Sequence, residues 1–467
     1  MRDQSFRGHV KNLEQQGELF RIDKETDPNT NVSAIGWKTY DQFGKSTLFT
    51  NLKGFPGWRL ASQVITDRRK WAIGLGVPEE EVIPTVVQRI KAPREPITVD
   101  TRDAPVKEII LIGDDADLTK LPAMWTSELD PGPYIASGMA VIKDPETGTR
   151  NMSYHRQQIL GPDRSGFLIC PRHALRTYQK YQKRKKAMPV AMVVGVHPAI
   201  LYAGGFTTRY GINELSLAGG LLEDPVRLVK CETSDLEVPA DAEMIIEGEI
   251  LPDAMTSEGP FGEVTGGYAE EGSTEIFVVK AITHRKDPIF YGMHSGAPMT
   301  DPQSITGTCI EAALYEHLSK VEGGLDLLDI RCLGVSGLMA IIVKLRPRIS
   351  GQAKTALMAA LSSPYLHPKL AIAIDEDMDA SDLNQVFWSL TTRVNAEQDV
   401  TKIDNTRIWS LDNVSNIVPG MSPMYRIGTK VGIDATKPWS SSKEGNTRFD
   451  RAMPTNYESV NIEDFLT

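Results

Sequence analysis

The chain has 467 residues, 41% hydrophobic and 24% charged, the balance of a globular protein with length for roughly two or three domains. A net charge of −10 and a pI near 5.5 weigh against a nucleic-acid-binding protein, whose contact face is basic. Four scattered cysteines, Cys170, Cys231, Cys309 and Cys332, form no C-x-x-C pair, which disfavours a zinc cluster, a redox dithiol and a dense disulfide framework.

Residues 1–19 read as a polar amphipathic helix without the apolar stretch of a signal peptide. TLFTNL (47–52) and KEIILIG (107–113) read as strands, DRRKWAIGLGV (67–77) as a helix, and the Pro-rich 90–108 as a surface linker. From about 121 to 305 short strand-like runs follow one another, GMAVIKD (138–144), SGFLICP (165–171), VAMVVGV (190–196), AEMIIEGEI (242–250) and EIFVVKAITH (275–284), the texture of a sandwich or barrel. YQKYQKRKKAM (178–188) reads as a solvated helix end. The uncharged run 187–208 is long enough to span a bilayer, but two Pro, three Gly and a His make it buried strand and loop. Beyond 305, helical segments at 306–321, 351–363 and 381–394 alternate with LMAIIVKL (338–345) and KLAIAID (369–375), as in an α/β unit. Phe387, Trp388 and Leu390 read as core, and the polar tail after Trp439 as extended or mobile. The division predicted is 1–120, 121–305 and 306–467, in a cytoplasmic protein with no membrane segment.

Common motifs fail. FGKST (43–47) has Thr39 where a phosphate-binding loop needs Gly, and no H-E-x-x-H, G-x-S-x-G or strand-borne G-x-G-x-x-G occurs. TSEGPFGEVTGGY (256–268) is different. Glu258 and Glu263 flank a Gly-Pro-Phe-Gly turn that could aim both acids into one pocket, where carboxylates of separated pKa divide acid and base work. The alternative is a solvated turn. NMSYHRQQ (151–158), LICPRHALR (168–176) and VKCETSDLEVP (229–239) supply Asn151, His173 and Glu232, an O/N/O set suited to a divalent ion such as Mn²⁺. Singly, these are equally a turn residue, a core histidine and a strand end, and spacing does not show that they converge.

The Asn-x-Ser-x-x-Arg pattern in NMSYHR, PRH at 171–173, the K-C-E block at 230–239 and above all EGPFGE at 258–263, in this order, resemble the UbiD family of prenylated-FMN-dependent decarboxylases. The likeness extends through DEDMDASDLNQVFWSLTTR (375–393) and VGIDATKPW (431–439). It implies an α/β multidomain chain: an N-terminal α/β domain, a central flavin-binding split β-barrel and a C-terminal α/β oligomerisation domain. It implies that Asn151, His173 and Glu232 hold Mn²⁺ against the cofactor phosphate, with K⁺ nearby. Met152, Ser153, Tyr154, His155 and Arg156, with Arg172, would line the prenylated FMN. Glu258, Arg156 and Glu263 would form the catalytic network, with Glu263 the proton donor. Partners would be a small carboxylic acid, CO₂, a flavin prenyltransferase that supplies the cofactor, and further copies of the chain as a homodimer or hexamer.

Losing CO₂ from an unsaturated or aromatic acid leaves charge that no side chain can take up, so a cofactor must carry it. The cinnamic-acid branch of the family has Gln at the position of Arg172 and a sulfur side chain at that of Val264. With His294, Thr306 and His367 as candidate pocket residues, the difference hints at a polar heteroaromatic or substituted benzoic acid. Lys369 is the candidate for a C-terminal lysine that reaches the cofactor. The competing readings are a conventional flavin oxidoreductase on a split barrel, and a non-catalytic subunit of a larger assembly.

Overall fold

The computed structural model describes residues 2–296, 299–321, 324–422, 424–439, 447–457 and 459–466. Helix α1 (Phe6–Gln15) starts where the Ser5 hydroxyl accepts from the Gly8 amide, a side-chain N-cap, and its buried Phe6, Val10 and Leu13 recur at helical spacing. Strands β1 (Leu19–Ile22), β2 (Ser46–Phe49) and β3 (Arg59–Ser62) form the first sheet. They pack with α2 (Val32–Phe43), α3 (Arg68–Leu75) and α4 (Val82–Arg89). After α4, β4 (Ile97–Thr98) and β5 (Ile109–Ile112) lead into the central sheet. The predicted surface linker is only partly on the surface, because Ala104, Val106 and Lys107 are buried between these strands.

The central layer is built from β6 (Tyr134–Ile135), β7 (Met139–Lys143), β8 (Arg150–Tyr154), β9 (Gln157–Ile159), β10 (Arg164–Phe167), β11 (Met188–Val194), β14 (Met244–Glu258) and β17 (Gly272–His284). Their order is β6-β9-β10-β17-β14-β11-β7-β8, with β5 along β17, and among the described residues the path does not close on itself. The sheet is therefore a split, open one, antiparallel throughout. Between β11 and β14 the chain also makes β12 (Arg227–Lys230) and β13 (Glu237–Pro239). The hairpin β15 (Phe261–Gly262) and β16 (Tyr268–Ala269) sits between β14 and β17, and β18 (Ile289–Tyr291) then returns to pair with β3.

Helix α5 (His173–Lys183) follows β10, while α6 (Pro198–Gly205) and α7 (Glu214–Leu222) follow β11. Run 187–208 is thus a strand and a helix, not strand and loop. All but one residue of α6 are buried, and a helix apolar all round shows no 3.6-residue period to read. Helix α8 (Asp301–Leu318) crosses to the last sheet, β19 (Leu327–Cys332), β20 (Ala340–Leu345), β21 (Leu370–Ile374), β22 (Val400–Ile408), β23 (Asn416–Ile417) and β24 (Arg426–Asp434). Arg68 of α3 clamps it by donating to Glu311 at 2.9 Å and to Asp329 at 2.8 Å.

Helices α9 (Gln352–Leu361) and α10 (Leu383–Thr392) cover the last sheet. The reading of α10 as core is corrected at Phe387 alone, which is 67% exposed; Trp388 and Leu390 are partly buried against the core of the sheet. The tail is tethered at Phe449 and Asp450. Arg393 donates to the Phe449 carbonyl at 2.7 Å, and Lys437 pairs with Asp450 at 2.5 Å. Residues 440–446, 458 and 467 of that predicted tail lie outside the described residues.

Candidate active site

The two acids of the Gly-Pro-Phe-Gly turn do meet one guanidinium. Arg156, just past the end of β8, donates Nε to Glu258 Oε1 at 2.8 Å and Nη2 to Glu258 Oε2 at 2.9 Å. Its Nη1 donates to Glu263 Oε1. Glu258 ends β14, and the chain then reverses through Gly259 at φ +89. A Cβ there would meet the Glu270 carbonyl at 3.2 Å, so glycine alone fits without strain. The reversal carries Phe261 under the guanidinium, ring centroid 4.3 Å from Arg156 Cζ.

The set is shielded, with side-chain exposures of 11% for Arg156, 4% for Glu258 and 12% for Glu263. Burial works against the Arg156 charge, yet the two glutamates outweigh it and its pKa is raised. A fork-on-fork pair of this kind is the strong, directional form of ion pair. Glu258 is held at both oxygens, whereas among the described residues Glu263 is held at one. Tyr134 packs its ring 4.7 Å from Phe261 and places its hydroxyl 3.4 Å from Gln158 Oε1. Burial first and Glu258 second push that phenol's pKa up.

A second cluster lies farther along β8. Asn151 Nδ2 donates to Glu214 Oε1 at 2.9 Å, and the Met152 amide donates to Glu214 Oε2 at 2.9 Å. Thr208 Oγ1 donates to the same carboxylate at 3.2 Å. Among the described residues the buried Asn151 Oδ1 has no hydrogen-bond partner. Burial pushes the Glu214 carboxyl up to about 7. Asn151 and His173 line one small cavity, with Asp144, Arg150, Thr177 and Tyr210. His173 opens α5, and its pKa is lowered by burial, then by Arg172 and Arg176. Arg172 donates to Thr207 Oγ1 at 3.2 Å.

Glu232 stands elsewhere. Its carboxylate pairs with Lys107 Nζ at 2.9 Å, its amide donates to Glu247 Oε1 at 2.9 Å, and like Glu214 it does not line the Asn151–His173 cavity. It belongs to a buried clamp holding the segment before β5 against β14, so the carboxylate beside Asn151 is Glu214. An acid at the head of an otherwise apolar helix, Asn-Glu-Leu-Ser-Leu-Ala-Gly-Gly, was the signal available, since a buried charge needs a reason.

The remaining predicted residues divide. Met152 is buried in the core, and Tyr154 donates its hydroxyl to the Leu201 carbonyl at 3.1 Å. Ser153 and His155 alternate with them along the chain and bond each other at 3.0 Å, while His155 also reaches the Leu168 carbonyl at 2.8 Å. Burial lowers the His155 pKa to about 4. His294 stacks on Trp37 at 5.9 Å in the N-terminal layer, and among the described residues its Nε2 has no partner. His367 packs 4.3 Å from Trp409 in the C-terminal layer, and among the described residues its Nδ1 has no partner. Thr306 is half-buried on α8. No described contact joins these three, and residues 297–298 of the predicted pocket loop lie outside the described residues. Lys369 pairs with Asp412 at 3.0 Å.

Among the described residues no helix is long and apolar enough to cross a membrane. Three family models match in chain order: the 3-octaprenyl-4-hydroxybenzoate carboxy-lyase N-terminal domain over 10–90, its Rift-related domain over 97–298 and its C-terminal domain over 303–435. The solved structure of the UbiD-class enzyme HmfF from Pelotomaculum thermopropionicum, in complex with FMN, is similar at 33% identity and TM-score 0.89, covering 99% of this chain and 100% of that one. An evolved dimeric form of that enzyme with prFMN is similar at 32% identity and TM-score 0.86, covering 99% and 100%. Vanillic acid decarboxylase from Sedimentibacter hydroxybenzoicus, in open form, shares 28% identity at TM-score 0.84, covering 97% of each chain.

Proposed function

The chain belongs to the UbiD family of carboxy-lyases, and from that premise we propose that it catalyses reversible, non-oxidative decarboxylation of an aromatic, heteroaromatic or α,β-unsaturated carboxylic acid. The observation that carries the reading is Arg156 gripping Glu258 at both oxygens and Glu263 at one. Hydride transfer has no use for two acids around one arginine.

Prenylated FMN, when bound, supplies the electron sink that a vinylic or aryl carbon needs to release CO₂. This chain's residues supply position and the proton. Glu258, fixed at both oxygens, holds the guanidinium in place. Glu263, with one oxygen free, delivers a proton to the carbon that has lost CO₂ and recovers it from water, which balances the reaction. Each of three Arg156 nitrogens already donates to a glutamate, so the arginine acts on substrate chiefly by aiming those acids. Asn151 Oδ1 and His173, which line one cavity, fit a divalent cation, Mn²⁺, with Glu214, hydrogen-bonded to Asn151 Nδ2, as the carboxylate beside them. That cation, with K⁺ nearby, would anchor the cofactor phosphate beside Arg172. Assembly as a homodimer is part of the same reading, and light scattering tests it.

The test is a panel of carboxylic acids. The chain is co-expressed with a flavin prenyltransferase and purified with Mn²⁺ and K⁺, in the dark and without oxygen. Loss of acid, or H/D exchange at the product carbon in D₂O, is followed for the native chain and Glu263→Gln. Turnover or exchange that is lost in the variant supports the reading. Undiminished exchange in Glu263→Gln removes the assigned proton donor. NAD(P)H oxidation without CO₂ release moves the chain to the oxidoreductases.

A further inference from the structure

We propose that Tyr210, on the loop between α6 and α7, is the positioning residue for His173, an inference that rests on the cation site proposed above. A histidine that ligates a metal usually donates its other ring N–H to a carboxylate or carbonyl, and that bond fixes the ring. Among the described residues no hydrogen bond reaches either ring nitrogen of His173, so its orientation must come from packing. The Tyr210 ring supplies it, edge-on at 89° with centroids 5.4 Å apart.

Tyr210 is itself held from several sides. Its hydroxyl donates to Asp144 Oδ2 and lies 3.4 Å from Thr177 Oγ1. The Arg176 guanidinium lies 4.0 Å over its ring. Asp144, 3% exposed, is braced in turn by Lys180 Nζ at 2.6 Å and by the Glu146 amide at 2.8 Å. The same loop sends Thr207 to Arg172 and Thr208 to Glu214. One anchored phenol thus sets the histidine ring directly and pins the loop that touches the neighbouring arginine and carboxylate. No residue of this network needs to touch the cation.

The inference is tested on the full chain with Mn²⁺ alone, free Mn²⁺ being measured by electron paramagnetic resonance. Histidine nitrogen coupled to bound Mn²⁺ is read by electron spin-echo modulation. Tyr210→Leu removes the ring edge, and Tyr210→Phe keeps the ring but frees it from Asp144. Losing an outer-shell partner typically weakens metal binding roughly 10–100-fold. That loss is expected for Tyr210→Leu together with a diminished nitrogen signal, and a smaller loss for Tyr210→Phe. Should Tyr210→Leu not fold, Tyr210→Phe carries the test. Asn151→Ala separates the two readings. If it abolishes Mn²⁺ uptake while both Tyr210 variants match the native chain in affinity and nitrogen signal, this inference fails alone. If the native chain takes up no Mn²⁺, or Asn151→Ala binds it unchanged, the cation site falls and this inference with it.

Discussion

Asn151 Nδ2 lies 2.9 Å from Glu214 Oε1, and that one contact decides which way the amide faces. With the NH₂ group committed to the carboxylate, the amide oxygen is left buried and, among the described residues, without a partner. Such an oxygen costs roughly 1–3 kcal/mol unless something fills its place, and the proposed cation would do so while neutralising the Glu214 charge. Glu214→Gln keeps the shape and removes the charge. Its Mn²⁺ affinity is expected to fall by at least the roughly 100-fold that outer-shell losses can reach. Glu232→Gln, whose carboxylate serves Lys107, should leave that affinity unchanged. Metal titration of both variants checks the assignment, and the opposite ranking would return the ligand role to Glu232.

Arg156 separates stability from catalysis. Removing it leaves Glu258 and Glu263 shielded, at 4% and 12% exposure, without their counter-charge. Breaking a buried pair in this way costs roughly 3–5 kcal/mol, so Arg156→Ala should show a clear drop in its denaturant midpoint. Arg156→Lys restores the charge but not the fork. It is expected to regain most of the stability while turnover stays low, by roughly the 10²–10⁴-fold that misaimed acid–base groups lose. Denaturation curves and the carboxylic-acid assay, run on both variants, give the two readouts.

How far the site could be read beforehand depended on distance along the chain. Glu258 and Glu263 announce each other because only a Gly-Pro-Phe-Gly turn separates them, and that chemistry is local. Arg156 is 102 residues from Glu258, and nothing local pairs them. They meet because β8 and β14 belong to one sheet, so only the family resemblance could supply the link. Lys-Cys-Glu-Thr reads as a strand that delivers Glu232 toward Asn151, whereas the carboxylate in contact with Asn151 is Glu214. In the fold that strand delivers Glu232 to Lys107. Helix α6 was hidden for a different reason. Its uniform apolarity erases the period by which α1 was recognised.

Buried histidines make stability fall in acid. Burial lowers His9, His155 and His294 from an ordinary 6.5 to about 4, and His197 and His367 to about 3. With folded values below the unfolded one, the unfolded chain binds more protons between about 6.5 and 4. Their contribution is therefore fully present above about 6.5 and lost as the pH falls toward 4. Glu214, raised to about 7, and Asp301 and Asp375, raised to about 6, act in the opposite sense. Burial also raises Asp241 and Glu275, but the five histidines carry the larger shifts, so the urea midpoint is expected to be lower at pH 5 than at pH 7.5. His9→Gln, which can still donate to the Val64 carbonyl, should reduce that slope. A midpoint that rises on acidification would show the carboxyls winning.

Tyr134 offers the finest test of the network. Its ring lies 4.7 Å from Phe261, which lies under Arg156, so the aromatic packing and the ionic network share one wall. Burial first, then Glu258, keep the phenol protonated, and a phenol beside a carboxylate can only donate to it. Tyr134→Phe deletes the donor and keeps the wall. A hydrogen bond to a charged group contributes about 1.5–3 kcal/mol. If that bond aims Glu258, and through Arg156 aims Glu263, kcat should fall roughly 10–100-fold while KM and the melting temperature change little. A rise in KM at constant kcat would place Tyr134 in substrate binding. A loss of stability without any change in kcat would make it wall and nothing more.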